Sequence, residues 1–486
     1  MPEDEKSPTD FQMLLNDDGP VAITIKQSLA PANEDDPVIF PPSYPINAAP
    51  GYNIDRFPDG TSLCEIDSPQ SQANRIEPIF KNKYRALVPQ IEISVGGDAE
   101  RASKINLLVE AGHRAADAVV RMSSLAARFH GAFLDAKSGN DFTLATLAPT
   151  SLLFGVWDSR STQVKVQRIV KAQIRASNVL ELTRSAQFTP AADYVRAGAV
   201  HEDLDEDEGD KNPLSEQGMK HALATRTIGG VMLTKTSELT RTVAVNLVAL
   251  RGLRADGDPD RTKALQSYLL GLALLAATAD PDLNLREGCN LHLKGATDEK
   301  KKVPRRGEAE PIKLDLGEIE MFANDASKTF FHLAGIDFEK KDHLDAVFET
   351  GVAEAFLAKK KEEREKISRL GPITAETIRR FDEKRKDPFK TVLDSVKAAQ
   401  KALGRAPGKR EPPKRDPGAL KPVAEALQSM STDAEVPDGT KALAVELAAL
   451  ASEHKDSHEA LKNIQKKIRE FKKAPEQQEA GAGNPE

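Results

Sequence analysis

Lys165, Arg168, Lys171 and Arg175 lie close together in a stretch that alternates cations with aliphatic residues. Projected as a helix over 163–179 at ~100° per residue, Arg168, Lys171 and Arg175 share one side. Val166, Ile169, Val170 and Ile174 take the opposite side. A second helix is expected over 104–130, where Arg114, Arg121 and Arg128 recur every seven residues with His113 beside the first. Residues 151–200 hold seven basic residues (Arg160, Lys165, Arg168, Lys171, Arg175, Arg184, Arg196) against three acids, in a chain of net charge −7. Cations arrayed on one face can hold a phosphate backbone without reading bases, and Trp157, Phe188 and Tyr194 offer rings for stacking. The plainer reading is a solvated helix face with Trp157 in the core.

No catalytic pattern competes with this. GxxxxGK[ST], GxGxxG, HExxH and GxSxG are all missing, and the nine histidines are scattered without ligand spacing. Gly96-Gly97 and Gly229-Gly230 are expected to be tight turns. The two cysteines, Cys64 and Cys289, form no CxxC, which excludes a disulfide scaffold and a Cys-rich zinc site. The expectation is a protein without enzymatic activity, cofactor or metal.

Several elements must position these residues. The chain has 486 residues, enough for two to four domains, and its net charge excludes a uniformly basic nucleic-acid binder. Residues 1–60 read as irregular and proline-punctuated, with one short alternating strand at Val21, Ile23 and Ile25. Leu87, Ile91, Ile93 and Val95 alternate with polar residues as a half-buried strand. Residues 201–210 are acidic and expected to form a mobile surface loop. Val243 to Leu253 reads as strand and Thr262 to Ala279 as helix. The apolar run Tyr268 to Ala279 is shorter than the ~20 residues of a membrane span, so a buried helix is expected. The acidic amino terminus shows no apolar signal region, and a soluble, cytoplasmic protein is expected.

An α+β core over 61–355 is thus expected, followed by a helical extension over 356–486 with a Pro-rich linker at 404–422. KKKEEREK (Lys359 to Lys366) reads as solvated helix surface. One long helix over 440–473 would carry a heptad seam of Leu443, Leu447, Leu450, His454, Ser457, Leu461, Ile464, Ile468 and Phe471, to be covered by another helix of this chain or of a partner.

A series of strings then points to a family. SQANRIEPIF (Ser71 to Phe80), LVPQIEI (Leu87 to Ile93), GHRAADAVVR (Gly112 to Arg121), LAPTSLLFGVWDSR (Leu147 to Arg160), KAQIRASNV (Lys171 to Val179) and LTRSAQFTPA (Leu182 to Ala191) follow in order. With LLNDDGPVAI (Leu14 to Ile23) and YNID (Tyr52 to Asp55), this series resembles the backbone subunit of type I-G CRISPR interference complexes, formerly type I-U, a RAMP-superfamily protein. The resemblance covers roughly residues 10 to 355. It implies a ferredoxin-like, RRM-related palm with inserted finger and thumb elements. It also implies copies stacked along one CRISPR RNA, each gripping the guide backbone and leaving bases to pair with target DNA. Implied partners are the guide, the target strand, neighbouring copies, and the large and guide-end-capping subunits, with no membrane. The charged tail resembles in character a small helical subunit. An RNA-binding role carries over to Gln72, Asn74 and Arg75, to His113, Arg114 and Arg121, to Trp157, Arg160, Lys165, Arg168, Lys171 and Arg175, and to Arg184 and Gln187. His113 beside Gly112 also suits a hydrogen-bonded structural histidine. Two alternatives stay open: a RAMP endoribonuclease using His201 or Asp203, and a helical scaffold that binds no RNA.

Overall fold

The computed structural model describes residues 10–46, 49–96, 103–205, 212–280, 282–295, 298–338, 343–385, 389–404, 416–432, 438–453 and 456–479. It divides into two compact units, Met1–Thr374 and Ala375–Glu486.

The first unit is mixed α/β around a curled antiparallel sheet. Its strands are β1 (Ala22–Pro31), β2 (Ile54–Arg56), β3 (Ser62–Asp67), β8 (Val170–Ser177), β11 (Leu239–Asn246), β12 (Cys289–Leu293) and β13 (Glu299–Val303). Neighbours run in the order β12, β1, β11, β8, β3, β2, with β13 also alongside β1. The alternation at Val21, Ile23 and Ile25 therefore marks the middle of the sheet, because β1 is paired on both sides. A smaller sheet sets β4 (Gln90–Val95) parallel to β14 (His343–Val347) and antiparallel to β5 (Ser103–Asn106).

One face of the main sheet buries Ile23, Ile25, Val170, Ala172, Val243 and Val245 in the core that also holds α5 (Pro259–Thr278). That helix is buried along most of its length. Its Tyr268 stacks on Phe330 at 4.5 Å and donates to the Leu87 carbonyl at 2.9 Å. Phe330 lies on α6 (Leu316–Leu333). The two helices touch so closely at Gly271 that a Cβ there would stand 2.7 Å from Ala323 Cα. Cys64 and Cys289 are free and buried, and burial pushes both thiols up to about 12. Among the described residues no helix is long and apolar enough to cross a membrane.

Several sequence expectations change. Residues 163–179 are not a helix: β7 (Lys165–Val166) and β8 occupy the segment. In β8 Val170, Ala172, Ile174 and Ala176 are buried while Lys171 is exposed, the period of two that a sheet imposes. Residues 104–130 are not one helix either. They hold the end of β5, a turn, the short α2 (Ala118–Arg121) capped by Asp117, and the start of α3 (Ala126–Lys137). Arg114, Arg121 and Arg128 thus share no helix face. The strand reading of Val243 to Leu253 ends at Asn246, whose side chain accepts from the Ala249 amide at 2.9 Å and caps a helix, Leu247–Arg251. Gly229-Gly230 is not a turn. The pair lies inside β10 (Ala222–Leu233), where Gly229 and Gly230 bulge opposite the single Leu182 of β9 (Val179–Phe188), and a Cβ at Gly229 would stand 2.6 Å from the Leu182 carbonyl carbon. Gly97 lies outside the described residues, as do 206–211 of the acidic segment; Glu202–Asp205 form a short 3-10 turn.

The compositional shift near residue 355 precedes the division between the units. Ala353 and Phe356 of α7 (Thr350–Leu357) and Ile367 of α8 (Lys361–Leu370) are buried, so both helices belong to the first unit.

The second unit opens with α9 (Ala375–Arg385). Four helices then share one core: α10 (Lys390–Leu403), α11 (Pro417–Thr432), α12 (Asp438–Glu453) and α13 (Ser457–Glu479). The expected single helix over 440–473 is therefore two. Asp456 accepts from the His458 amide at 2.8 Å, and Ser457 Oγ accepts from the Asp416 amide at 2.8 Å, so the polar middle of the seam begins a new helix. Leu447, Leu461, Ile464 and Ile468 are covered by helices of this chain, and His454 lies outside the described residues. The expected linker at 404–422 ends early, since α11 runs from Pro417 through Pro422; residues 405–415 lie outside the described residues.

Candidate nucleic-acid interface

The first unit carries an open cleft of about 1540 Å³. Eight cations line it against three acids, Asp117, Asp158 and Glu365. It is built outward from Gly155, where α4 (Pro149–Phe154) turns into β6 (Val156–Trp157). Gly155 has φ +83°, and a Cβ there would lie 3.2 Å from both the Arg168 nitrogen and the Val166 oxygen. Only glycine suits that turn. Gly155→Ala is expected to cost about 1–3 kcal/mol in backbone strain and to displace the hairpin that follows. Thermal unfolding checks this, and a parental midpoint would refute it.

β6 pairs with β7 so that Trp157 stands directly opposite Lys165. Cross-strand neighbours interact, and the Lys165 ammonium lies 5.7 Å from the indole centroid. Val156 on the other face is buried, leaving Trp157 61% exposed; the expectation of a core tryptophan fails because strand alternation turns it outward. The connecting loop is held by the buried Asp158 carboxylate, which accepts from the Ser161 amide (3.1 Å), the Thr162 amide (2.8 Å) and Thr162 Oγ1 (2.8 Å). Lys137 Nζ donates to the Thr162 carbonyl at 3.0 Å.

Arg168 is fixed at the floor of the cleft. Its Nε donates to the Phe154 carbonyl at 2.8 Å and its Nη2 to Gln70 Oε1 at 3.0 Å. With the Gln70 carbonyl so used, the Gln70 amide donates to His113 Nε2 at 2.9 Å. That assignment leaves the His113 proton on Nδ1, 3.4 Å from Glu77 Oε2. Burial pushes the Glu77 carboxyl up, with His113 opposing. His113 is 2% exposed and supports the floor as a structural histidine.

The rim is more open. Arg114 Nε donates to the Ala111 carbonyl at 2.7 Å and stands 3.5 Å from Asp117. Burial lowers the Arg121 pKa; Asp158 opposes that shift, and the like charge of Arg160 adds to it. The opposite wall is α8, with Lys361, Arg364 and Arg369. Arg364 Nη1 donates to the Leu357 and Lys359 carbonyls and so locks the α7–α8 joint. Ser161 Oγ donates to the Ser368 carbonyl at 3.1 Å, tying that wall to the loop behind Trp157. Sequence reasoning placed all three in the helical extension and read Lys361 and Arg364 as solvated helix surface. The signal against that was Ala353 and Phe356 just ahead of them, three apart on one helix face and both buried.

The other candidates lie elsewhere. Lys171 and Arg175 do not line the cleft; they sit with Gln173 on the open face of the main sheet, in register with Ala244, Thr242 and Thr240 of β11. Lys171 borders a shallow depression with Lys26 and Lys301. Arg175 stands opposite Glu65. Arg184 and Gln187 are exposed on β9. Gln72 is fully buried and bridges Asp67 (2.6 Å) and the buried Arg241 (2.9 Å), while Arg75 binds Asp67 at 3.2 Å and the Leu285 carbonyl at 3.0 Å. Both are turned into the fold. Asn74 is exposed beside Gly112. His201 and Asp203, 4.0 Å apart and exposed, do not line the cleft. Among the described residues no three His, Cys, Asp or Glu gather as metal ligands.

No curated protein matches the chain. Residues 23–181, which include most of β1, the SQANR string and the whole Trp157 hairpin, match the family model described as CRISPR-associated protein GSU0053. That match, over about a third of the chain, indicates a CRISPR-associated protein of the RAMP kind.

Proposed function

We propose that this protein is a non-catalytic backbone subunit of a type I-G CRISPR surveillance complex that holds guide RNA by its phosphates. The observation that carries the proposal is the cleft, whose eight cations outnumber its three acids. Such a site takes any spacer sequence, since phosphate contacts position a strand without reading it. The curled antiparallel sheet with its inserted hairpins suits a RAMP palm with finger and thumb elements. In this reading copies assemble along the guide beside the large and guide-end-capping subunits, and target DNA pairs with the exposed bases.

The test is binding of the purified full chain to single-stranded RNAs of unrelated sequence across a salt series. Expected is sequence-indifferent affinity whose logarithm falls with log salt by ~0.7 per phosphate held. Lys171→Ala with Arg175→Ala should leave most of that affinity if the cleft is the main site, and abolish most of it if the open sheet face is. No binding at low salt overturns the reading, and RNA cleavage lost in His201→Ala would replace it with a nuclease.

A further inference from the structure

We infer that Trp157 is a stacking platform for one unpaired nucleobase, and that the cleft therefore takes single-stranded RNA in preference to a duplex. The inference rests on the RNA-binding reading above and adds to it what part of the ligand is held besides phosphate.

Trp157 is the chain's only tryptophan, and it stands 61% exposed at a cleft wall. A ring of this size is usually buried unless something covers it. Its presentation is rigid. Gly155 sets the entry, the Val156–Val166 pair anchors the hairpin, and Asp158 closes the loop with three hydrogen bonds. Lys165 lies against the ring and draws a phosphate toward it, and Arg160 adds a second exposed cation in the same cleft.

The surroundings choose the occupant. A protein or lipid partner for a lone tryptophan would call for a continuous apolar patch, whereas this ring is set among cations. The cleft's 1540 Å³ also exceeds the ~300–1,000 Å³ of a typical small-molecule pocket, which leaves room for an extended ligand such as an oligonucleotide. Stacking on an aromatic ring is tolerant of base identity, in keeping with a site that must accept any spacer. A paired base inside a duplex offers no free face, and this is the origin of the single-strand preference.

The experiment reads Trp157 emission, excited where tyrosine does not absorb, in parallel with anisotropy of labelled RNA. The probes are short single-stranded RNA, the same sequence as a duplex, and inorganic polyphosphate, which has charge and no base. Single strands are expected to quench the emission, and polyphosphate to bind without quenching. Trp157→Ala should weaken single-strand binding about 5- to 150-fold, with Trp157→Phe recovering part of the loss. The slope of affinity against salt should stay unchanged in Trp157→Ala, because stacking releases no counterion. Lys165→Ala should lower it by ~0.7. RNA binding by anisotropy without quenching, equal quenching by polyphosphate, or unaltered affinity in Trp157→Ala overturns the inference and leaves the phosphate-gripping reading standing. Absence of any RNA binding overturns both.

Discussion

Replacing Arg121, Arg160, Lys361 and Arg369 together by alanine is expected to weaken binding of single-stranded RNA by about three orders of magnitude at ~0.1 M salt. Each cation withdrawn from a phosphate takes ~0.7 off the slope of log affinity against log salt, so four take off about 3 in slope and about as many log units at that salt. These four are chosen because they line the cleft from both walls and none anchors backbone as Arg168 and Arg364 do. Arg121 and Arg160 repel each other across the rim, a cost that a bound polyanion would relieve. Unfolding curves should stay close to the parent's, since Arg160, Lys361 and Arg369 are exposed and the half-buried Arg121 has no hydrogen bond or ion pair among the described contacts. A variant that keeps parental affinity and slope would refute the cleft as the site. The alternative would then be the open sheet face carrying Lys171 and Arg175.

Gln72→Ala is expected to act in the opposite way, destabilising the first unit by about 3 kcal/mol or more without weakening RNA binding by the molecules that remain folded. The Gln72 side chain is the link between two buried charges. Its Nε2 donates to Asp67 Oδ2 and its Oε1 accepts from Arg241 Nε. Arg241 is itself fully buried, with Gln27 Oε1 as its other partner at 2.5 Å, and burial lowers its pKa to about 10. Alanine would leave a carboxylate and a guanidinium each short of a hydrogen bond in the interior, the costliest kind of polar deletion. The measurement is urea unfolding by far-UV circular dichroism alongside RNA anisotropy on folded protein. Parental stability with weakened RNA binding would return Gln72 to the role that the family resemblance implies.

The two variants separate residues that look alike in sequence. SQANR and RIVKAQIR are both polar and cationic strings beside apolar residues. In the first, α1 (Pro69–Ile76) is packed on the sheet, so Gln72 turns inward to Asp67 and Arg241. In the second, Lys171 and Arg175 are four apart, and four residues return to the same face in a helix and in a strand alike. The helical and extended readings therefore agreed about that pair and disagreed about Arg168, three before Lys171. Pairing with β3 and β11 on its two sides made the segment a strand, and Arg168 fell before its start, bonded to Phe154 and Gln70.

By itself, the chain determined the features that depend on local period and local chemistry. Ile23 and Ile25 alternate, and so do Ile91 and Ile93; the run from Tyr268 is too short to span a membrane and too apolar for a surface. The cluster of cations between Arg160 and Arg175 and the order of the family strings were equally legible, because neither requires knowing what is packed against what. Only the tertiary structure decided which cations share a cleft. Arg114, Arg160 and Lys361 come from three distant segments, and what gathers them is the packing of α7 and α8 back onto the first unit across from the Trp157 hairpin. Nothing in KKKEEREK distinguishes a face that looks into a cleft from one that looks into water, since charged side chains suit both. The outward turn of Trp157 was hidden for a similar reason. The side of a two-residue strand is set by its partner, and that partner lies beyond a loop held by buried hydrogen bonds.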